Sequence, residues 1–147
     1  GISSPTEKDQ ELLDGLFSLM LSDGADFTMV FRRLSEVLRG NVNPVHLLFK
    51  SEENLNNWLT GWNSRLMKEN LHMAIIADDM DRLNPIYIPR NQNVEDALDA
   101  AVNNDEMTPF NNLLELVSKP YDEQTGKEAF TQSAPETSIP YQTFCGT

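Results

Sequence analysis

A chain of 147 residues, 39% of them hydrophobic, is long enough for one domain with its own core and too apolar to be disordered throughout. Its formal net charge of -12 and pI near 4.4 repel phosphate backbones and anionic lipid, which argues against nucleic acid and membrane surfaces as partners. A single cysteine, Cys145, rules out an internal disulfide and points to a reducing compartment, and no apolar run nears the ~20 residues of a membrane span.

The chain opens Gly1-Ile2-Ser3-Ser4, without Met and with a helical pattern close behind, as expected of a piece of a longer protein. Thr6 is a good N-cap, and Glu7 and Asp9 suit the positive end of a helix. Leu12, Leu13, Leu16, Phe17, Leu19 and Met20 recur at helical spacing, which predicts a helix over 7–21 and a turn at Ser22-Asp23-Gly24-Ala25. Asp26 caps a second helix with Phe27, Val30, Phe31, Leu34, Val37 and Leu38 on its stripe, and Gly40 sits where a C-terminal glycine belongs. Arg32, Arg33 and Arg39 lie off that stripe. They read either as a small basic patch or as a solvated face with last-turn dipole partners, and the second is the simpler expectation.

Asn41 to Pro44 breaks the chain, and Val45 to Phe49 fits one tucked turn of helix. His46 stands there without ligand spacing to a Cys, His or carboxylate, so it reads as a packing or capping residue. A third long helix starts at Ser51 and carries Leu55, Trp58, Leu59, Trp62 and Leu66 on one face. Its two tryptophans suit core anchors better than a ligand shelf, and Gly61 could permit the close approach of another element. Leu71, Met73, Ala74, Ile75, Ile76 and Met80 carry a further helix. Asp78, Asp79 and Asp81 crowd its C-terminal end against the dipole, which leaves open a cation or basic-partner site beside a plain solvated cluster.

The chain then reaches Asn84-Pro85-Ile86-Tyr87-Ile88-Pro89-Arg90-Asn91. Two prolines four residues apart forbid regular helix, while the apolar residues between them predict a packed connector with Arg90 as a clamp that fixes the turn. Asn91 or Asn93 caps a helix over 94–103 whose core face is Val94, Ala97, Leu98, Ala101 and Val102. Thr108-Pro109 opens the last helix, with Phe110, Leu113, Leu114 and Val117 facing inward. After Pro120 the pattern is lost, giving a helical domain over 1–120 and a mostly irregular, extended tail over 121–147. The fold expected is all-α, an irregular or orthogonal packing of about five or six helices.

No Gly-rich phosphate loop, nucleophile elbow or metal-ligand spacing occurs, so no catalytic or metal residue is nominated. Cys145 is the one reactive candidate, with no basic neighbour in sequence to activate it.

Several pieces together carry a resemblance. Asn84-Pro85-x-Tyr87-Ile88-Pro89-Arg90-Asn91 is followed by Val94-Glu95-x-Ala97-Leu98-x-Ala100-Ala101, Pro109-Phe110-x-x-Leu113-Leu114 and Lys119-Pro120-Tyr121. The chain closes on Tyr141-x-Thr143-Phe144-Cys145-Gly146-Thr147, and Trp58-Leu59 with Trp62-x-x-Arg65-Leu66 lies upstream. This series resembles the C-terminal region of the selenoprotein O (YdiU) family. The resemblance implies a kinase-like enzyme, of the pseudokinase kind, that uses ATP and magnesium to transfer AMP to Ser, Thr or Tyr of protein substrates. Its nucleotide site would lie in an upstream kinase-like domain, so this chain alone is expected to hold no cofactor and no activity. Cys145 matches the family's terminal Cys or selenocysteine, which implies a redox role with a cysteine upstream. The resemblance places the protein in the bacterial cytoplasm, or in mitochondria if the source is eukaryotic. The competing expectation is a standalone acidic helical module that binds a basic partner.

Overall fold

A computed structural model describes residue 2 and residues 5–132. Within them the protein is all-α, with seven helices and no strand. In chain order these are α1 (Lys8–Asp23), α2 (Phe27–Leu38), the single turn α3 (Asn43–His46), α4 (Glu52–Leu66), α5 (Met73–Leu83), α6 (Asn91–Asn104) and α7 (Thr108–Ser118). Short 3₁₀ turns follow α4 (Met67–Glu69) and close the described chain (Glu128–Thr131).

Local chemistry explains most boundaries. α1 has Glu7 at its cap with no side-chain cap bond, so Thr6 does not play the N-cap role expected of it; instead the Asp9 carboxylate accepts from the Thr6 amide at 2.6 Å and from the Thr6 hydroxyl. α1 runs on to Asp23, two residues past the expected end, because the stop is Gly24 at φ +68°, whose neighbour Ala25 donates back to the Met20 carbonyl. Asp26 caps α2 by accepting from the Met29 amide at 2.8 Å. Gly40, at φ +87°, ends α2 in a Schellman arrangement: its N–H bonds the Val37 carbonyl and that of Asn41 bonds Glu36. Pro44 sits in the first turn of α3, where its missing N–H costs nothing, so the turn starts earlier than the Val45–Phe49 expected. α6 starts at Asn91 with Arg90 at its cap and no side-chain cap bond, so neither Asn91 nor Asn93 plays the capping role expected of them.

The main core gathers Leu16 of α1, Val30 and Leu34 of α2, Leu55, Trp62 and Leu66 of α4, and Ile76 and Met80 of α5. Trp58 and Trp62 stack at 5.6 Å between ring centroids, and the Trp58 indole N–H donates to the Leu12 carbonyl at 2.8 Å. The close approach lies at Gly15, where an added Cβ would meet the Trp58 ring at 3.5 Å. At Gly61 the nearest atom would be Leu12 at 3.9 Å, so that glycine is not what lets the helices meet. A second cluster joins Met29, Ile86, Tyr87 and Leu116, with Leu48 and Phe130 against it.

Three expected core faces differ. Leu71 and Ile75 are exposed, since α5 begins only after Asn70 turns left-handed at φ +55° and presents Ile76, Ala77 and Met80 instead. On α6 only Ala97 is buried, while Leu98 and Val102 face outward. On α7 the buried pair is Leu113 and Leu116, with Phe110 and Leu114 exposed. α6 and α7 pack mainly on each other, and Leu116 of α7 reaches the second cluster.

Candidate functional site

The segment between α5 and α6 joins the two clusters. Ile86 and Tyr87 are fully buried, and both of their amides donate to the Pro120 carbonyl, at 2.7 and 3.2 Å. The Tyr87 hydroxyl accepts from the Gln124 amide at 2.9 Å and donates to the Gln124 carbonyl at 3.3 Å. Asn84 donates to the Phe31 carbonyl, and its own carbonyl accepts from Arg32. Pro85 and Pro89 bracket this extended run, because they deny it helical hydrogen bonding at either end. Arg90 lays two guanidinium nitrogens on the Asp26 carboxylate, at 2.6 and 3.0 Å. The same carboxylate caps α2, so one group links the start of α2 to the start of α6. Asn91 opens α6 with its side chain exposed. Residues 121–132 turn back over this segment, with Asn93 donating to the Phe130 carbonyl.

The arginines of α2 and its C-terminal cap correct a sequence-based expectation. They are staples, not a solvated face. Arg32 is buried and bonds the Asp81 carbonyl at 2.9 Å. Arg33 forms a two-point pair with Glu123. Arg39 pairs with Asp78 at 2.7 Å and Asp81 at 2.8 Å, and Ser35 donates to Asp81. The carboxylates crowded at the end of α5 are thus compensated by guanidinium groups from α2, with Asp79 on Arg82. That arrangement offsets the dipole conflict locally and leaves the cluster committed to the fold. His46 likewise ties α3 to α4 through Asn56 at 2.9 Å, near Glu52.

Two buried carboxylates escaped the sequence reading. Asp9 pairs with Arg65 at 2.6 Å, and Arg65 also holds Glu69. Hydrogen bonds from Arg65 and from the Thr6 amide hold the Asp9 carboxyl down at about 2. Asp23 accepts the amides of Lys50 and Ser51, each at 2.9 Å, just ahead of α4. Those bonds, the Ser51 one foremost, lower its pKa too. Asp9 reads as an ordinary first-turn acid and Asp23 as part of the turn Ser22-Asp23-Gly24-Ala25, so neither stands out in the sequence. Only the capping-box spacing from Thr6 to Asp9 could have flagged one of them.

An apolar groove of about 380 Å³ opens between α1, α2, α4 and α5, lined by Leu13, Phe31, Trp58, Met80 and Leu83 among others. A wider polar concavity of about 750 Å³ lies by Thr6, Lys8, Arg65 and Lys68, where Arg65 is already committed to Asp9 and Glu69. Cys145 lies outside the described residues.

The family described as Protein adenylyltransferase SelO matches residues 1–118. The chain belongs to the SelO family. It is 39% identical to a protein named Protein nucleotidyltransferase YdiU from Maridesulfovibrio salexigens, over 97% of this chain and 29% of that protein. It is also 39% identical to the protein of the same name from Sphingopyxis alaskensis, over the whole chain and 30% of the relative. A Mycobacterium relative of that name is 41% identical over 92% of this chain and 26% of its own. The chain spans about 30% of the length of these curated relatives.

Whether magnesium and a nucleotide fit these residues is a question of donors. Among the described residues no group of three His, Cys, Asp or Glu side chains converges into a cation site. The one acidic cluster singled out from the sequence is held by arginines. No described helix is long and apolar enough to cross a membrane.

Proposed function

We propose that this chain is the helical C-terminal accessory domain of an ATP-dependent protein adenylyltransferase that moves AMP onto Ser, Thr or Tyr of protein substrates. The observation that carries the reading is the family match over residues 1–118 within only about 30% of the relatives' length. The nucleotide site, with its ATP and magnesium, then lies in an upstream kinase-like domain of the same polypeptide. That domain is the direct partner of these helices, and the protein works in the bacterial cytoplasm, where ATP and magnesium are supplied. The arginine-held α2–α5 pair and the packed connector suit a rigid support more than a reacting centre.

Cys145 has a place in this reading. Its thiol and a cysteine thiol of the upstream domain lose two protons and pass two electrons to a disulfide oxidant such as oxidised glutathione, forming one disulfide that tethers the tail. The alternative of a standalone acidic module keeps the net charge of -12 as its motive, while Asp78 and Asp81 already have cationic partners inside the domain.

Titration calorimetry of the 147-residue chain with magnesium–ATP tests the assignment. No heat of binding is expected, whereas the polypeptide of the complete reading frame should bind and should incorporate AMP from ATP labelled on the α-phosphate. Saturable nucleotide binding by the short chain would overturn the placement of the site.

A further inference from the structure

α1 and α2 carry an apolar face, at the edge of the core, that is partly open to solvent. Leu13 and Phe17 stand one turn apart on α1 and are exposed. Phe17 lies 6.2 Å from the ring of Phe27 and 6.3 Å from that of Phe31, and Phe27 and Phe31 are 4.8 Å apart. Phe27 is 62% exposed, and Leu83 at the end of α5 is 76% exposed. Leu13, Phe31 and Leu83 also line the apolar groove, so rings, leucines and groove form one continuous surface. Scattered exposed leucines need no explanation. Three contacting aromatic rings beside an apolar groove do, because such contiguous patches mark surfaces that another body covers.

We infer that this surface is the seat of the upstream domain of the same polypeptide, which would press an apolar segment into the groove between α1, α2 and α5. The inference rests on the accessory-domain reading above and deepens it by naming the docking face. Two observations select the occupant. About seven tenths of each relative's length lies outside the match, so a protein of this family has a large body of its own chain to place. Ile2 and Pro5 line the groove themselves, so chain that precedes them leaves the domain beside this face. A tethered domain needs little intrinsic affinity to stay docked there, since its effective concentration is set by a short connection. The outward residues of the α6–α7 hairpin, Leu98, Val102 and Leu114, are aliphatic and bring no aromatic rings together.

Hydroxyl-radical footprinting with mass spectrometry, on the 147-residue chain and on the polypeptide of the complete reading frame, tests the assignment. Oxidation of Phe17, Phe27 and Leu83 is expected to fall several-fold in the long polypeptide, with Val102 and Leu114 unchanged. Equal oxidation of those three residues in both proteins overturns the docking face, and so does protection centred on Val102 and Leu114. Protection of the short chain by itself that grows with its concentration assigns the face to a second copy and overturns the proposal as well. AMP incorporation by the long polypeptide separates the two levels. An active protein with an unprotected Phe27 sinks only the face, whereas a long polypeptide without transfer activity sinks the functional reading on which it stands.

Discussion

Replacing Arg90 by Ala removes a guanidinium that holds the Asp26 carboxylate at two points, 2.6 and 3.0 Å. The side chains of the pair are 12% and 14% exposed. An exposed pair is worth about 0–1 kcal/mol, and stripping one partner from a fully buried pair costs about 3–5 kcal/mol. This pair falls between those limits, because Asp26 keeps its bond from the Met29 amide. The expected cost is about 2–3 kcal/mol, which in a domain of this size lowers Tm by about 4–12 °C. Asp26→Asn preserves the cap of α2, since Asn caps as well as Asp, but removes the charge that Arg90 faces. A double-mutant cycle of Arg90→Ala and Asp26→Asn, followed by thermal and urea unfolding, is expected to show a coupling above about 1 kcal/mol. Additive effects, or an Arg90→Ala Tm within about 1 °C of the parent when ~4–12 °C is expected, would refute the clamp.

Further outcomes follow from the same geometry. Tyr87→Phe deletes the hydroxyl that serves both the amide and the carbonyl of Gln124, and should cost about 1–3 kcal/mol while raising amide exchange around Gln124. Gly61→Ala meets only Leu12 at 3.9 Å in a helix interior, so it should stabilise by about 0.5–1 kcal/mol, read as a higher Tm. Acid unfolding should report Asp9. Its folded pKa is depressed from 3.8 to about 2, so its contribution is full above 3.8 and lost as pH falls toward about 2. Asp9→Asn should accordingly flatten the stability–pH curve in that window, and an unchanged acid limb would contradict the Arg65 pairing.

Much of this protein could be read before its coordinates. Helix existence followed from hydrophobic spacing because that spacing is a local property, one turn repeating every 3.6 residues. Asp26, Gly24 and Gly40 marked helix ends for an equally local reason: a carboxylate beside free amides, and glycine where φ turns positive. The connector's packed character was legible in Ile86 and Tyr87 standing between two prolines. The motif series from Trp58 to the closing Cys145-Gly146-Thr147 pointed to the family that the match over residues 1–118 shows.

What the sequence could not say is which groups meet across the chain. Arg32, Arg33 and Arg39 look like surface charges on a helical wheel. They become staples only because α5 and the turn after α7 bring Asp81, Asp78 and Glu123 beside them. Arg90 finds Asp26 across 64 residues, and Asp23 serves amides 27 and 28 residues away. The same holds for burial. Periodicity shows that Leu98, Val102, Phe110 and Leu114 lie on apolar stripes, but a stripe is covered only where another element arrives. In this domain Ala97 and Leu113 are buried on the α6–α7 hairpin and Leu116 packs into the cluster of Met29, Ile86 and Tyr87, while Leu98, Val102, Phe110 and Leu114 stay exposed. Local spacing determines which residues share a face, because the energies that form a helix act within a turn or two. The partner of each face and each charge is decided by the path of the whole chain, and that path exists only in the tertiary structure.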